Sequence, residues 1–244
     1  MKKYSLILFL VTAVCIIVGL AYNFKGFPSI NYSSSKDLVR DEADFGNVEV
    51  KEVKVDMDHG DISFAYGSEL TVSSLYPKEE LPEVTYENGV LSVTQKIPVA
   101  KTMNYFRVHA TSDEYLTKVT IPEGTVIKNI ESDSANCDSY FDSIEVENVT
   151  FKQANGDVTA KECKFNNLIA HCTNGDFDIS GEFANIDIKL VNDDVKVSGK
   201  LDQVKIDVTN GDIELNTEGP IDFDKVSVKT LNGDFYVNGK EIGD

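Results

Sequence analysis

The sequence predicts an all-β protein, a β-solenoid or two-sheet β-roll, because one short turn motif returns at a nearly fixed period between stretches of alternating hydrophobicity. The motif is Asn-Gly-Asp, and intact or degenerate copies begin at Asn136, Asn155, Asn174, Asn192, Asn210 and Asn232. Successive asparagines are 19, 19, 18, 18 and 22 residues apart. A constant period of roughly 20 residues is typical of solenoids, in which each repeat is one supersecondary unit.

Apolar residues occupy the same positions on both sides of every turn. Six residues before the asparagine stand Val149, Leu168, Ile186, Val204 and Val226, and three residues after it stand Val158, Phe177, Val195, Ile213 and Phe235. Further apolar positions follow at every second residue, so each unit is a strand, a turn and a second strand with one face buried. Gly181, Gly199 and Gly239, seven residues after the asparagine, mark a second corner.

One such unit cannot bury its apolar face alone, so the units must stack about 4.8 Å apart. An antiparallel meander of hairpins is the alternative, because Asn-Gly also favours the type I′ hairpin turn. The near-constant spacing of 18 to 19 residues and the matching positions favour the solenoid, since parallel in-register stacking aligns like residues.

The same register returns near the start of the chain. Val53, Val55 and Met57 precede His59-Gly60-Asp61, and Asn88-Gly89 followed by Leu91 and Val93 is a weaker copy. The stretch Leu70 to Thr125 contains Pro77, Pro82, Pro98 and Pro122 and predicts an irregular β cap over the first unit, because an open sheet edge invites aggregation. The predicted domains are an anchor (1–22), a spacer (23–44), the cap region (45–127) and the repeats (128–244).

The anchor is an uncharged run from Tyr4 to Tyr22, about the length that a helix needs to cross a bilayer. Lys2 and Lys3 precede it, so the positive-inside rule predicts a single-pass membrane protein with a cytoplasmic N-terminus and an extracellular remainder. A cleaved signal peptide is disfavoured because no small-x-small cleavage site follows the run. A lipoprotein cysteine at Cys15 is disfavoured because bulky Val14 precedes it.

Charge excludes one class of partner. The chain has a net charge of −18, and the residues after Tyr22 carry −20, which would repel a phosphate backbone. We therefore expect no nucleic-acid binding. Envelope proteins and cationic peptides are the expected partners besides the membrane, although the acidity is also explained by solubility alone.

Stacking would align one aspartate per unit along the turns. These residues are Asp138, Asp157, Asp176, Asp194, Asp212 and Asp234. A row of carboxylates can share Ca²⁺, but calcium-binding β-rolls use a denser pattern, so we favour capping of the turn's own backbone amides. We expect no cofactor.

Cysteine and histidine give no catalytic pattern. Cys137, Cys163 and Cys172 follow the anchor, and a Cys163–Cys172 disulfide or a zinc site that adds His171 lacks any C-x-x-C support. Buried thiols packed as small hydrophobic groups are favoured. His59 is predicted at a turn and His109 in a strand-like stretch, and no nucleophile motif accompanies either residue. The sequence therefore predicts a protein that is not an enzyme.

The segment Val119-Thr120-Ile121-Pro122-Glu123-Gly124-Thr125, together with the anchor and the Asn-Gly-Asp turns, resembles the bacterial DUF4097 family over residues 45 to 244. The resemblance implies a β-solenoid surface module, adhesin-like and of unknown ligand, with some relatives tied to cell-envelope stress responses. The chain departs from the pattern where Cys137 and Asp193 replace turn glycines.

Two functions follow from the resemblance. The first is a membrane-anchored extracellular module with a binding or structural role. The alternative is an envelope stress sensor that regulates a membrane signalling partner. A third class, a carbohydrate-active β-helix enzyme, would need paired carboxylates in a cleft, and the evenly spaced aspartates nominate no such pair.

Overall fold

The computed structural model describes residues 38–96 and 115–242, which belong to one compact unit, Leu38–Asp244. Nearly all of the regular structure is β. The strands of the N-terminal part are β1 (Leu38–Gly46), β2 (Glu52–His59), β3 (Asp61–Gly67), β4 (Leu70–Pro77), β5 (Glu83–Glu87), β6 (Val90–Gln95) and β7 (Leu116–Pro122).

The repeats form the remaining strands. They are β8 (Ile127–Asn136), β9 (Ser139–Asp142), β10 (Glu145–Asn155), β11 (Val158–Asn174), β12 (Phe177–Asn192), β13 (Val195–Asn210), β14 (Ile213–Thr217), β15 (Val226–Asn232), β16 (Phe235–Val237) and β17 (Lys240–Glu241). A single-turn 3-10 helix, Phe223–Lys225, precedes β15. Strands β11, β12 and β13 each run through the second corner, so each serves one unit after its turn and the next unit before its turn.

The units stack in parallel and in register, which confirms the β-solenoid and shows that the hairpin meander is wrong. Strands that precede the turns form one sheet, the pre-turn sheet, in the order β6, β2, β8, β10, the later halves of β11 to β13, and β15. Strands that follow the turns form the post-turn sheet, in the order β7, β3, β9, the earlier halves of β11 to β13, β14 and β16.

The alternating pattern places the apolar columns between the two sheets. Val149, Leu168, Ile186 and Val204 stack in register, and each is at most 3% exposed. Phenylalanines join the sheets across the core: Phe141 of β9 lies edge-on to Phe151 of β10, with ring centroids 5.7 Å apart. Each fully buried aliphatic or aromatic side chain contributes roughly 1.5–3 kcal/mol relative to an exposed one.

Differences in repeat length are absorbed at the second corner. In the two 19-residue units a residue of positive φ, Ser143 (55°) or Glu162 (52°), stands there as an extra residue. The register between β11 and β12 shifts between Ala160 and Cys163, as a β-bulge requires. The 22-residue spacing accommodates the 3-10 helix in the same corner.

The order of units in space differs from their order in the chain. Strands β2 and β3 form a regular unit stacked on β8 and β9, with His59 in register with Asn136. Strands β6 and β7 then stack on the far side of β2 and β3. Antiparallel strands complete the cap, β5 on β6 and β4 on β7, with β1 on β4. The predicted cap is therefore largely regular, and β1 begins inside the segment assigned to the spacer (23–44).

The interpretation of Asn88-Gly89 as a copy of the repeat turn was wrong. Both residues have positive φ, 54° and 86°, and they connect β5 to β6 as a hairpin. Leu91 and Val93 pair with Val53 and Val55, so β6 is a pre-turn strand rather than a post-turn strand. The dipeptide is ambiguous because a type I′ hairpin and the repeat turn both require positive φ.

Several inward positions hold polar residues that hydrogen-bond inside the core. Gln153, in a predicted apolar column, donates its carboxamide to the carbonyl of Cys137 and, at 3.3 Å, to that of Asn155. Ser132 and Ser134 bond to each other at 3.3 Å, and Ser132 is in register with Phe151. The small volume of Ser132 leaves room for this ring, because core packing is dense.

The predicted anchor (1–22) and His109 lie outside the described residues. Among residues 38–96 and 115–242, no helix is long and apolar enough to span a membrane.

Candidate binding surface

The turn asparagines form a hydrogen-bonded ladder along the stack. Each carboxamide donates its Nδ2 to the Oδ1 of the asparagine in the preceding unit, with distances of 2.6 to 2.8 Å from Asn155 to Asn232. The ladder exists because in-register stacking brings identical side chains together, and a carboxamide can both donate and accept. His59 occupies this position in the first unit, and Asn136 donates instead to the carbonyl of Asp58 at 3.3 Å.

A second asparagine ladder was not predicted. Asn148, Asn167 and Asn185 each donate to the asparagine of the preceding unit at 2.8 to 3.1 Å, starting from Asn129. Asn129 in turn donates to Glu52 at 3.2 Å. The signal is present in the sequence, because asparagine recurs seven residues before the turn asparagine in four successive units.

The turn aspartates also form a row, which we call the turn ridge. Its members are Asp61, Asp138, Asp157, Asp176, Asp194, Asp212 and Asp234. Each Oδ1 accepts the backbone N–H of the next ridge aspartate, at 2.7 to 2.9 Å from Asp157 onward and 3.4 Å at Asp138. The carboxylates therefore cap backbone amides of the neighbouring unit, which stabilises negative charge along the ridge.

Removing one cap separates its structural role from its charge. Asp176→Ala removes the acceptor of the Asp194 N–H, and we expect the free energy of unfolding to fall by about 1 kcal/mol. Asp176→Asn keeps an Oδ1 acceptor and should lose less than half as much. Urea unfolding followed by circular dichroism measures both values, and equal losses would contradict the capping role.

The predicted calcium row coincides with the turn ridge. In the described part of the chain, no group of three or more His, Cys, Asp or Glu side chains is arranged to hold a metal ion. Because one oxygen of each ridge carboxylate from Asp61 to Asp212 already accepts a backbone N–H, we expect millimolar Ca²⁺ to leave the melting temperature of the chelated full chain unchanged. A saturable rise in melting temperature would establish a calcium site instead.

The two residues that stand in place of turn glycines, Cys137 and Asp193, differ in backbone conformation. Asp193 adopts the positive φ of a turn glycine, 83°, and its Oδ2 accepts the N–H of Gly175 at 2.8 Å. Cys137 has no positive φ; it is buried, and Gln153 binds its carbonyl. The replacement of glycine therefore changes the backbone conformation of the turn at Cys137, whereas Asp193 preserves it.

Cys137, Cys163 and Cys172 are free and buried, as the favoured interpretation predicted. Cys172 points into the core whereas the neighbouring His171 is exposed on the outer face, so the structure does not bring together the proposed zinc ligands. Burial raises the pKa of the Cys163 thiol to about 11 and that of Cys172 to about 12.

These pKa values make the thiols unreactive in the folded chain. A raised thiol pKa leaves little of the nucleophilic thiolate at pH 8, so we expect iodoacetamide to modify Cys163 and Cys172 much more slowly than it modifies them in the urea-unfolded chain. Peptide-resolved mass spectrometry measures each site separately. Labelling at the same rate before and after unfolding would show that the sites are open.

His59 lies at the predicted turn, in register with Asn136, and its side chain is buried in a polar cluster in the cap. Its imidazole Nε2 is 3.6 Å from the Glu80 carboxylate, and both side chains are nearly inaccessible. Gln95 joins the cluster. Its side-chain Oε1 accepts the backbone N–H of His59 at 3.2 Å, and its Nε2 donates to the backbone carbonyl of Glu80 at 2.8 Å. The rings of Tyr76 and Tyr115 stack on each other with centroids 5.5 Å apart, and both rings are nearly perpendicular to the imidazole. The cluster joins β2, β4 and β6.

Charged residues of alternating sign follow the second corner. Glu145, Lys164, Glu182 and Lys200 are in register, with ion pairs of 2.8 Å from Lys164 to Glu145 and 2.5 Å from Lys200 to Glu182. The hydrogen bond from Lys200 lowers the pKa of Glu182. All four are exposed or half-exposed, and such surface pairs contribute little to stability. Alternation avoids the repulsion that in-register stacking of like charges would cause.

The outer faces of the two sheets carry shallow depressions. One of about 240 Å³ is lined by the second-corner residues Lys164, Glu182 and Lys200. Another, of about 380 Å³, lies on the pre-turn sheet beside His171, Lys189 and Val191. Cys172 also borders the second depression, but this residue is buried on the core side of the strand whereas His171 is exposed on the outer face. The main features of the described surface are therefore rows of side chains: the two asparagine ladders, the turn ridge and the charged residues after the second corner.

The chain was compared with known proteins. No curated protein matches it. Similar solved structures include a candidate cell adhesion protein from Clostridium sporogenes (13% identity, 82% of this chain and 98% of that chain, TM-score 0.44) and a candidate adhesin from Bacteroides fragilis (13%, 83% and 97%, 0.42). A candidate lipid binding protein from Parabacteroides distasonis is also similar (14%, 81% and 96%, 0.30).

A family model matches residues 50–244, close to the 45 to 244 over which the sequence resembled DUF4097. The match covers most of the chain and includes the cap strands from β2 onward as well as every repeat unit. It therefore confirms the resemblance. The chain belongs to the Toastrack DUF4097 family.

Proposed function

We propose that this protein is a membrane-anchored, extracellular, adhesin-like module with a binding role and no catalytic activity. The observation that carries the proposal is the in-register stacking, which fixes charged side chains in straight rows beside shallow, open depressions. A rigid surface of this kind suits a macromolecular partner, because small-molecule sites are concave and mostly enclosed.

The turn ridge is the surface that we propose for the partner. Its carboxylates are held by backbone N–H groups, so little side-chain entropy is lost when a cation binds. A basic segment of an envelope protein or a cationic peptide matches the sign of this charge and of the whole chain. The interaction should weaken as salt screens the charges.

Isosteric substitutions test the ridge without removing its caps. The ridge variant carries Asn at Asp157, Asp176, Asp194 and Asp212. The control removes four charges from exposed positions outside the ridge, through Glu131→Gln, Asp133→Asn, Asp178→Asn and Asp207→Asn. We expect the ridge variant to bind a fluorescent oligolysine peptide at least about tenfold more weakly at low salt, and the control to bind within about threefold of the parent. Equal losses in both variants would contradict a ridge-specific site.

The anchor is proposed from the run Tyr4 to Tyr22 with Lys2 and Lys3 before it. Full-length protein should then sediment with membranes, and external protease should digest the repeats in intact cells. A single arginine at Val14, in the middle of the run, should release the chain from the membrane fraction, because charge at the centre of a span is costly. Protease protection of the repeats in intact cells, with lysed cells as the control, would contradict the extracellular location.

A further inference from the structure

The last unit of the stack ends in a step. Strand β15 pairs with β13 on one side, and in the described part of the chain no strand pairs with its other side. Strand β16, in the same unit, is covered by the antiparallel strand β17. The post-turn sheet therefore extends one strand beyond the pre-turn sheet, and the edge of β15 lies in the recess beside it.

The core opens at this step. Val226 and Val228 point inward from β15 but are partly exposed, whereas their counterparts in the preceding unit, Val204 and Ile206, are at most 2% exposed. Leu231, at the end of β15, is 69% exposed. A strand edge with accessible apolar side chains is a template for pairing with another strand.

The ladder of turn asparagines and the turn ridge also end here. Asn232 donates to Asn210 at 2.7 Å, and every earlier turn asparagine from Asn136 onward additionally accepts a bond from the next unit. Asp234 likewise donates its N–H to Asp212, and every earlier ridge Oδ1 accepts such an N–H. The end of the stack thus offers two acceptors in the geometry that a further unit would use.

The charged residues in one outward-facing column indicate which charge a strand added beside β15 should carry. Lys189, Asp207 and Lys229 are successive members of one outward column, so the sign alternates toward the open edge. The next residue in this column should be acidic, since like charges directly opposite each other are destabilising.

We propose that β15 accepts an extended segment of a partner polypeptide as one additional parallel strand. The segment has β-branched or other apolar residues at alternate positions, an acidic residue opposite Lys229, and a carboxamide side chain next to Asn232. Main-chain hydrogen bonds provide affinity in this mode of recognition, and the alternate side chains provide specificity. The site is separate from the oligolysine interaction proposed for the turn ridge.

A single strand fits this end better than a second copy of the chain does. The opposite end of the stack is covered by the antiparallel strands β1 and β5, so it presents no parallel pre-turn edge for head-to-tail stacking. When two C-terminal ends meet with like sheets aligned, the two copies of β17 lie between the post-turn sheets and hold the two β15 edges too far apart to pair.

A suitable probe peptide has the sequence of the later half of β13, because this segment already pairs with β15 in parallel and in register. A fluorescent peptide copying residues 200–212 should bind the full chain in an anisotropy titration. The same peptide with serine at Val204, Ile206 and Val208 should bind at least about tenfold more weakly, because the apolar contacts are lost. Equal binding of the two peptides, or no binding of the first at millimolar concentration, would overturn the proposal.

A charge exchange then tests the register. Lys229→Glu, at an exposed position, should weaken the parent peptide several-fold, and a peptide carrying Asp207→Lys should regain affinity for that variant. Affinities that do not depend on these charges would overturn the proposed alignment. Sedimentation of the unliganded chain distinguishes the other occupant: a dimer that the peptide dissociates would assign the edge to a second copy and overturn the proposal of a partner strand.

Discussion

Gly175→Ala should lower the free energy of unfolding by roughly 3–5 kcal/mol, because overpacking and an unfavourable backbone conformation act together. Gly175 has φ of 127°, and a Cβ there would lie 2.0 Å from the carbonyl oxygen of Gly156 in the preceding unit. Both atoms belong to stacked turns, so neither can move without shifting a neighbour. Urea unfolding of the variant and the parent measures the change.

Gly124→Ala is the matched control. Gly124 also has positive φ, 78°, but nothing lies within 4 Å of a Cβ built there. The control therefore reports conformational strain alone, and we expect a loss of about 1–2 kcal/mol. Equal losses in the two variants would show that the close approach of the turns does not matter at Gly175.

Asn174→Ala should cost about 2–3 kcal/mol because it breaks the asparagine ladder in the middle, where hydrogen bonds are lost on both sides. Asn174 donates to Asn155 at 2.6 Å and accepts from Asn192 at 2.7 Å. The carboxamides of both neighbours lose a partner, and all three side chains are partly buried, so water replaces these bonds incompletely. Equilibrium unfolding in urea gives the value.

The end of the ladder provides the control for this prediction. Asn232 is exposed, and its side chain makes only the donated bond to Asn210 among the bonds of the described residues. Asn232→Ala should therefore cost less than about 1 kcal/mol. A loss at Asn232 as large as that at Asn174 would indicate that the asparagines act through local turn geometry and not through the ladder.

The repeats could be predicted from the sequence because their contacts repeat. Val149, Leu168 and Ile186 occupy one column of the alignment and one column of the core. Turn chemistry predicted that Asp157 and Asp176 cap backbone amides, but the amides that they cap belong to the next unit and not to their own turn. The second asparagine ladder was missed, although Asn148 and Asn167 stand at equivalent positions, because the columns were sought among apolar residues.

The cap could not be predicted in the same way, because its contacts join residues that are distant in the sequence. Val53 pairs with both Leu91 and Ile130, so strands from three parts of the chain lie side by side. A two-residue alternation identifies β6 as a strand but does not indicate which strand it pairs with. The burial of His59 against Glu80 depends on this arrangement.

The sequence by itself determined the repeating unit, its inward and outward faces and its turn residues, because each of these depends on residues within one period of the chain. The family followed from the recurrence of these turns together with the segment Val119 to Thr125. Only the tertiary structure decided that β6 and β7 precede the first unit in space, that the ridge carboxylates cap their neighbours' amides, and that the edge of β15 is left in a recess. These features depend on which strand lies next to which. The backbone hydrogen bonds of a strand are made to strands of adjacent units. The alternation of apolar residues within one unit therefore does not specify which strand lies next to it.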